Sequence, residues 1–421
     1  MTVTATSGGR RRLTQAELDI LMTAHERFVA GKPGGKRLAA RFADFSKLNL
    51  SERNLQDADL SGSKFEGCNM ARVKLDRANL FGCDLRKADL RYASLTRADL
   101  RGASFRGANL AQADLTKADF REGIVGIPHP VRGLEVLSHE TRAGELDHAN
   151  LSGARLDGSQ MNAASAHAAD FTDCSMKGAN LSGANLKDAN LSGAMLEGAE
   201  VQGAVLENCK MKGAVLTGVD VSRAKSTAGA DLSGCLKGPS QASIDRAKSL
   251  WEKTRANQAW CETGGKEGSP AILNGEDLRP LGARLKGCRL TAMQAKGACL
   301  MGLDLSGAHL QGASFDGADL RGANLALADL RGARLLGANL TKADLRGAIF
   351  GPLPLGPDRE TPANLTGAVM RYVNAIGADF TNAVLDQTDM RGADFTGARM
   401  DTASVLGADL SQAAGIVMRA A

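Results

Sequence analysis

A large apolar residue recurs at every fifth position over most of the chain. In the first run, from Phe45 to Phe120, each of these positions holds Leu, Phe or Met. A small residue, usually Ala, stands two positions earlier, and Asp or Asn usually fills the position between them. Neither the α-helix, with about 3.6 residues per turn, nor the flat strand, with a period of about two, places residues of this spacing on one side.

The period of five therefore requires the chain to turn once in every repeat. Asp, Asn, Ser, Thr and Gly beside each large apolar residue favour such turns through side chain–backbone hydrogen bonds and permissive dihedral angles. Regular turning closes a coil, and stacked coils bury a continuous column of Leu and Ala. The residues predicted to form this core include Leu50, Leu55, Leu60, Leu80, Leu90, Leu100, Phe105, Leu110, Phe120, Leu181, Leu191, Leu310, Phe315, Leu320, Leu330, Leu340, Phe380 and Phe395.

The same period returns in three further runs, over residues 146–221, 285–350 and 365–410. The pattern of Ala, then Asp or Asn, then Leu, any residue and Gly resembles the pentapeptide-repeat family over most of residues 43–236 and 276–412. The resemblance implies an all-β solenoid: a right-handed, four-sided parallel β-helix with four repeats, or twenty residues, in each coil.

Two segments outside the runs have helical spacing. The first begins with a capping box, Thr14–Glu17, and the second is predicted to begin at Ser243. The open end of a solenoid exposes unpaired backbone groups, so an amphipathic helix laid across it would cover that edge. The residues predicted to anchor the two capping helices are Phe28, Trp251 and Trp260.

These helices and two Pro-rich segments, at 121–145 and 351–362, occur once in each half of the chain, which predicts an internal duplication. Each predicted module consists of a short capping α-helix, a solenoid run, a Pro-rich loop and a second run. The predicted organisation is a disordered basic arm over residues 1–12, a first module over 13–238, a linker with the central cap helix over 239–275 and a second module over 276–421.

The net charge of +5 comes from the first forty-two residues, which hold eight Lys and Arg against three Asp and Glu. This distribution argues against a nucleic-acid groove along the body of the chain. Within the first run, Lys and Arg gather in columns twenty residues apart. They form a candidate anion-binding face, although fourteen basic and twelve acidic residues over 43–122 equally suit alternating Asp–Arg ladders on a solvated surface. The candidate residues are Arg72, Arg77, Arg97, Arg101, Arg106, Lys117 and Arg121.

Motifs for catalysis, cofactors or metals are absent from the sequence. The eight cysteines have no CxxC spacing, and five of them replace Ala in the inward position of a repeat, where they suit a small buried side chain. We therefore predict a protein that is not an enzyme and binds no cofactor. The N-terminus lacks the apolar segment of a secretory signal, and no apolar run reaches the roughly 18 residues of a membrane span, so a cytoplasmic location is expected.

The leading functional hypothesis is a non-catalytic scaffold whose rigid faces bind another protein, and the sequence is also compatible with a homo-oligomer. The family resemblance implies an alternative, in which an acidic rod mimics DNA and binds a type II topoisomerase such as DNA gyrase. Residues 146–236 hold seven basic and ten acidic groups, and residues 276–410 hold fourteen and fifteen, which is far from the charge density of DNA. A third hypothesis makes the basic arm an anchor on nucleic acid or anionic membrane.

Overall fold

The computed structural model describes residues 11–129, 133–357, 359–400 and 402–416, with backbone only for 124–129 and 133–141. Its helices are α1 (Gln15–Val29) and α2 (Gln241–Glu262), and its strands are β1 (Gly123–His129), β2 (Gly133–Arg142), β3 (Leu353–Gly356) and β4 (Arg359–Thr361). Short 3-10 segments occupy Val221–Arg223 and Arg279–Leu285.

The chain divides into two compact units, Met1–Gly238 and Pro239–Ala421. Each unit has its own continuous apolar core of stacked Leu, Phe, Met and Ala side chains. Residues 239–275, predicted as a linker, belong to the second unit. The reason is that Leu250 of α2 is buried in the core of that unit.

The sides of the coils pair through parallel bridges between residues twenty apart. One column of bridges runs through Asn49, Asn69, Asp89 and Asn109. Four repeats therefore make one coil, as expected. A turn follows every three residues, so each side is too short for an extended strand, and the only strands of several residues in the described ranges are the four in the hairpins. The predicted β-helix thus has parallel pairing without the long strands of an ordinary sheet.

Each backbone N–H group of a repeat has its own partner, as the repeat around Leu90 illustrates. The N–H groups of Leu90 and Tyr92 donate to the next coil and that of Asp89 donates to the previous coil, at 2.7–3.1 Å. The N–H of Ala88 closes a β-turn, and that of Arg91 donates to the Asp89 carboxylate at 3.2 Å. All five donors are satisfied, which avoids the cost of unpaired backbone groups in a buried setting.

The two Pro-rich segments, predicted as loops, form antiparallel hairpins, β1–β2 and β3–β4. They leave the solenoid and return without interrupting the stack, since Ser104 pairs with Glu145 and Arg334 pairs with Asn364. The segments were predicted as loops because the repeat pattern breaks there, and the structure shows paired strands instead. In a two-stranded sheet both strands are edges, where a residue without an N–H, such as Pro354, is tolerated.

The eighteen residues predicted to form the core are each at most 1% exposed. Phenylalanine rings stack between successive coils, with centroids 4.7 Å apart for Phe45 and Phe65 and again for Phe350 and Phe380. These spacings match the roughly 4.8 Å separation of paired strands. The core is therefore a column of side chains with the same repeat as the backbone.

Helix α1 lies across the first coil of its unit and satisfies backbone groups that have no preceding coil. The predicted capping box is present, since Thr14 and Glu17 bind each other's backbone N–H groups. The side-chain amide of Gln15 donates to the carbonyl of Asn49 and accepts from its N–H, both at 3.0 Å. On the next side of the coil, the Glu26 carboxylate accepts from the Asn54 N–H at 3.3 Å. Side chains of the helix thus take the place of a neighbouring strand.

Each helix also has one buried polar side chain that binds the chain as it enters the first coil. On α1, His25 Nδ1 accepts from the Leu38 N–H at 3.0 Å. On α2, Asn257 Oδ1 accepts from the Ala271 N–H at 3.1 Å, and its Nδ2 donates to the Thr291 carbonyl at 3.1 Å. Both His25 and Asn257 are fully buried. The sequence pattern did not identify either residue as an anchor.

Two details of the predicted helices differ from the structure. Phe28 was expected to anchor α1, yet its side chain is 41% exposed and stacks on the His25 ring. The chain that returns after the helix packs instead against the backbone of Phe28, at Gly35. Trp251 and Trp260 of α2 are partly buried. Helix α2 begins at Gln241, two residues before the predicted start, since the Ser240 hydroxyl accepts from the Ser243 N–H and caps the helix.

Only Arg11 and Arg12 of the basic arm predicted over residues 1–12 are described by the structure. Residues 1–10 lie outside the described ranges. Arg12 forms a parallel bridge with Asp44, and Arg11 binds Glu17 at 2.6 Å. The last two residues of the arm are therefore part of the edge that closes the first coil.

Acidification should loosen the contact between α1 and the first coil. Burial lowers the pKa of His25 below the value of about 6.5 for a free imidazole. Protonation then favours the unfolded form, so the stabilisation is complete above about pH 6.5 and falls as the pH drops below it. We expect the hydrogen-exchange protection factor of the Leu38 amide to fall several-fold between pH 6.5 and 5. The variant His25→Gln keeps an acceptor without titrating; an equal fall in that variant would contradict the role of His25.

A substitution in the core column should cost far more than one beside it on the surface. Leu100→Ala should lower the free energy of unfolding by about 2–5 kcal/mol through lost burial and a cavity. Leu100→Asp should unfold several coils, since it buries a carboxylate without a partner. The control Arg101→Ala removes a half-exposed side chain and should cost less than about 1 kcal/mol. Denaturant unfolding followed by circular dichroism would measure the free energy of unfolding of all three variants. Equal losses of stability would contradict the burial of Leu100 in a core column.

Candidate interaction surface

Among the residues that the structure describes, nine arginines of the solenoid sides are paired with an aspartate two residues earlier in the chain. The Asp lies at the bridge position, which is the residue before the large apolar one, and the Arg lies at the first turn position, directly after it. Arg Nε and Nη2 donate to the two carboxylate oxygens at 2.6–3.0 Å, in a fork geometry. The pairs are Asp84–Arg86, Asp89–Arg91, Asp99–Arg101, Asp119–Arg121, Asp277–Arg279, Asp319–Arg321, Asp329–Arg331, Asp344–Arg346 and Asp389–Arg391.

The same aspartates have a second role in the turn. One oxygen of each also accepts the backbone N–H of the first turn position, as Asp89 does for Arg91 at 3.2 Å. Asn side chains do this in neighbouring coils, where Asn109 accepts from the Ala111 N–H at 3.2 Å. The hydrogen bonds from Arg91 also hold the pKa of Asp89 below its usual value. These carboxylates are therefore turn residues, charged and already occupied.

At Ser94 and Ser404, which fill bridge positions, an aspartate of the previous coil supplies the missing acceptor. Asp76, at the first turn position of the previous coil, accepts from the Ser94 hydroxyl and from the Thr96 N–H. Asp386 does the same for Ser404 and for the backbone N–H two residues beyond it. The first turn N–H can thus be satisfied from its own repeat or from the coil before.

The structure divides the seven residues of the predicted anion-binding face among different sides. Arg101 and Arg121 belong to forks, and Arg106 binds Asp147 at 3.1 Å on another side of the coil. Four of the seven border the single side whose bridge column includes residues 74, 94 and 114. These four are Arg72, Arg77, Arg97 and Lys117. The seven residues therefore do not form one face, and the four on this side stay a candidate for anion binding.

The inward cysteines are buried thiols. The Sγ atoms of Cys68, Cys83 and Cys209 donate to carbonyl groups of the preceding coil at 2.8–3.1 Å. Burial raises the pKa of Cys68 and of Cys209 to about 12. They stay protonated at neutral pH and lack the thiolate needed for nucleophilic or metal chemistry. Within the residues described above, no group of three or more His, Cys, Asp and Glu side chains could hold a metal ion.

The repeat geometry matches a known sequence family. The family model for pentapeptide repeats matches residues 43–121, 145–225, 298–351 and 363–413, which is more than half of the chain. The chain belongs to the pentapeptide repeat family. Proteins of this family fold as right-handed quadrilateral β-helices, in agreement with the twenty-residue coils.

Three solved structures illustrate the similarity. HetL, involved in heterocyst differentiation regulation in the cyanobacterium Nostoc, is 19% identical over 95% of this chain and 93% of its own, with a TM-score of 0.17. QnrB1, a plasmid-mediated fluoroquinolone resistance protein, is 20% identical over 48% of this chain and 92% of its own, with a TM-score of 0.22. A pentapeptide repeat protein from the Arabidopsis thaliana thylakoid lumen is 32% identical over 27% of this chain and 70% of its own, with a TM-score of 0.16.

A search of curated proteins found no match. Among the described residues, no helix has both the length and the apolar character needed to cross a bilayer.

The turn role of the bridge aspartates can be separated from their ion pairs. Asp89→Asn should keep the bond to the Arg91 N–H, as Asn109 does for its own turn, and lose only an exposed ion pair worth less than about 1 kcal/mol. Asp89→Ala should cost a further 0.5–1.5 kcal/mol, roughly, for the lost turn hydrogen bond. Denaturant unfolding at low and high salt would measure both. Equal losses in the two variants would contradict the turn role.

Proposed function

We propose that this pentapeptide repeat protein is a non-catalytic scaffold whose flat, rigid solenoid sides bind another protein. The observation that carries the proposal is that carboxylates and thiols which could take part in catalysis are already bound or buried within the fold. The bridge carboxylates bind their own turns and arginines, and inward thiols such as Cys68 are buried with raised pKa values. What remains for recognition is a set of side-chain columns held at the coil spacing. Such an array favours surface binding over chemistry on a small substrate.

We also propose that the two units are copies of one module and that α1 and α2 cap them. The contacts around the two helices support this, because the same kinds of contact follow one another in the same order along the chain in both units. Lys36 N–H donates to the Ala24 carbonyl in the first unit, and Ser269 N–H donates to the Ala256 carbonyl in the second. The acceptors His25 and Asn257 each follow the carbonyl residue of their own helix directly. In both units a Gly precedes this contact at a point where a Cβ would collide with the helix backbone.

DNA mimicry towards a type II topoisomerase is the weaker alternative. A DNA mimic needs rows of uncompensated negative charge, whereas nine aspartates here hold an arginine in a fork. The expected result of adding the purified protein to a DNA gyrase supercoiling assay is no change in supercoiling. Inhibition of supercoiling at a concentration of protein equal to that of gyrase would favour DNA mimicry over the scaffold hypothesis.

Affinity capture from the native cell, followed by mass spectrometry, tests the scaffold proposal. The intact chain should retain a specific set of proteins, and the unfolded control Leu100→Asp should lose them, because binding depends on stacked coils rather than on exposed segments. Arg101→Ala, which keeps the fold, should retain the same set. Retention of identical proteins by the intact chain and by Leu100→Asp, or of none by either, would defeat the proposal.

A further inference from the structure

The second turn position of the repeat has a backbone conformation that disfavours most side chains. Its φ is positive throughout, and Gly fills it in most repeats. Side chains with a Cβ are strained in this region, and retained strain is a reason to look for a function. Lys or Arg takes this position six times within residues 43–122, and elsewhere in the described ranges only at Lys342. The six are Lys47, Arg72, Arg77, Lys87, Arg97 and Lys117, with φ between 56° and 65°.

Four of these six border one side of the second to fourth coils. Arg72 lies at one corner of that side, and Arg77, Arg97 and Lys117 stack at the other, on successive coils. Lys74 lies between the corners, at the bridge position. We refer to these five residues as the basic side. All of them are exposed.

Three of the carboxylates near the basic side are occupied, one of them by Arg77 of the basic side itself. Asp57 forms a bidentate pair with Arg77, at 2.8 Å for both hydrogen bonds. Asp76 accepts from a Ser, and from a backbone N–H of the next coil. Asp114 accepts the Thr116 N–H at 3.0 Å and the Thr116 hydroxyl at 2.5 Å. These three carboxylates are thus held by Arg77 or by Ser, Thr and backbone donors, and not by the other four cations of the basic side.

Four cations of the basic side have no carboxylate within 4.0 Å among the residues that the structure describes. These are Arg72, Lys74, Arg97 and Lys117. The Arg72 guanidinium lies 4.7 Å from the centroid of the Tyr92 ring, which orients it without neutralising it. The Lys117 side chain starts out over Gly158 of the next coil, since a Cβ added there would lie 3.5 Å from Lys117 Cγ. This arrangement contrasts with the forks, in which every guanidinium is already paired.

We infer that the basic side is the docking site for the protein partner and that the partner contacts it through an acidic polypeptide segment. This inference rests on the proposed scaffold function. Cations on successive coils are about 4.8 Å apart, and the whole patch is about 10–15 Å long, which suits a few carboxylates on flexible side chains. A nucleic acid is less well matched, because its binding depends on neutralising many phosphates along an extended backbone and the surrounding run is nearly neutral.

The test uses the full-length protein and a fluorescein-labelled ten-residue oligoglutamate peptide, with binding followed by anisotropy at low salt. Arg97→Gly with Lys117→Gly removes two cations and places the favoured residue at a positive φ, so the double variant should fold at least as stably as the parent. Its Kd for the peptide should rise at least tenfold. The matched control, Lys47→Gly with Lys87→Gly, makes the same change at the opposite corner and should alter Kd less than twofold.

Unchanged binding by Arg97→Gly with Lys117→Gly would overturn the inference, as would the absence of peptide binding by the parent at low salt. Tighter binding of a ten-nucleotide oligothymidylate or of phosphatidylserine vesicles than of the peptide would overturn the acidic-polypeptide assignment. The same variants separate this inference from the scaffold function. A captured partner that is lost with Leu100→Asp and kept with Arg97→Gly and Lys117→Gly leaves the scaffold intact and removes the basic side as its site.

Discussion

The backbone hydrogen bonds between coils constrain everything else in this protein. Leu90 donates to the coil that follows, and Asp89 donates to the coil that precedes, so every repeat must meet a partner in each neighbouring coil, usually twenty residues away. Extra residues must therefore leave the coil and rejoin it at matched positions, as β1–β2 and β3–β4 do. One extra residue near Val221–Arg223 is accommodated in the same way, since Val205 pairs with Ser226. The outer side chains consequently stand in fixed columns, which is the property that a binding surface uses.

The turn between the sides explains the polar half of the repeat. Its first N–H points away from the neighbouring coils and needs an acceptor, which Asp or Asn supplies from the bridge position or Asp76 supplies from the coil before. Its second residue has a positive φ, which favours Gly. An abundance of carboxylates in such a chain is thus a requirement of the turn. Arginine forks then neutralise many of them, and only cations outside the forks, such as Arg97, are free to meet a partner.

The first coil has no complete coil before it, so some of its backbone groups need substitutes. The Gln15 amide presents a donor and an acceptor in the spacing of a peptide group, and His25 Nδ1 supplies one more acceptor. In the second unit Asn257 also accepts a backbone N–H, that of Ala271. Because these side chains replace a strand, a change in their protonation or geometry acts on the end of the solenoid rather than on its middle.

The sequence by itself determined whatever depends on neighbours within a few residues. The period of five placed Leu100 in the core, and the capping box at Thr14–Glu17 placed the start of α1, because a turn and a helix cap are both local. Tertiary structure decided which polar helix residue is buried and which aromatic, Phe28, stays outside. It also decided which side of the coil each arginine joins and which aspartate it meets. Those outcomes depend on contacts between distant residues, and a periodic pattern contains the spacing of such residues but not the direction in which their side chains point.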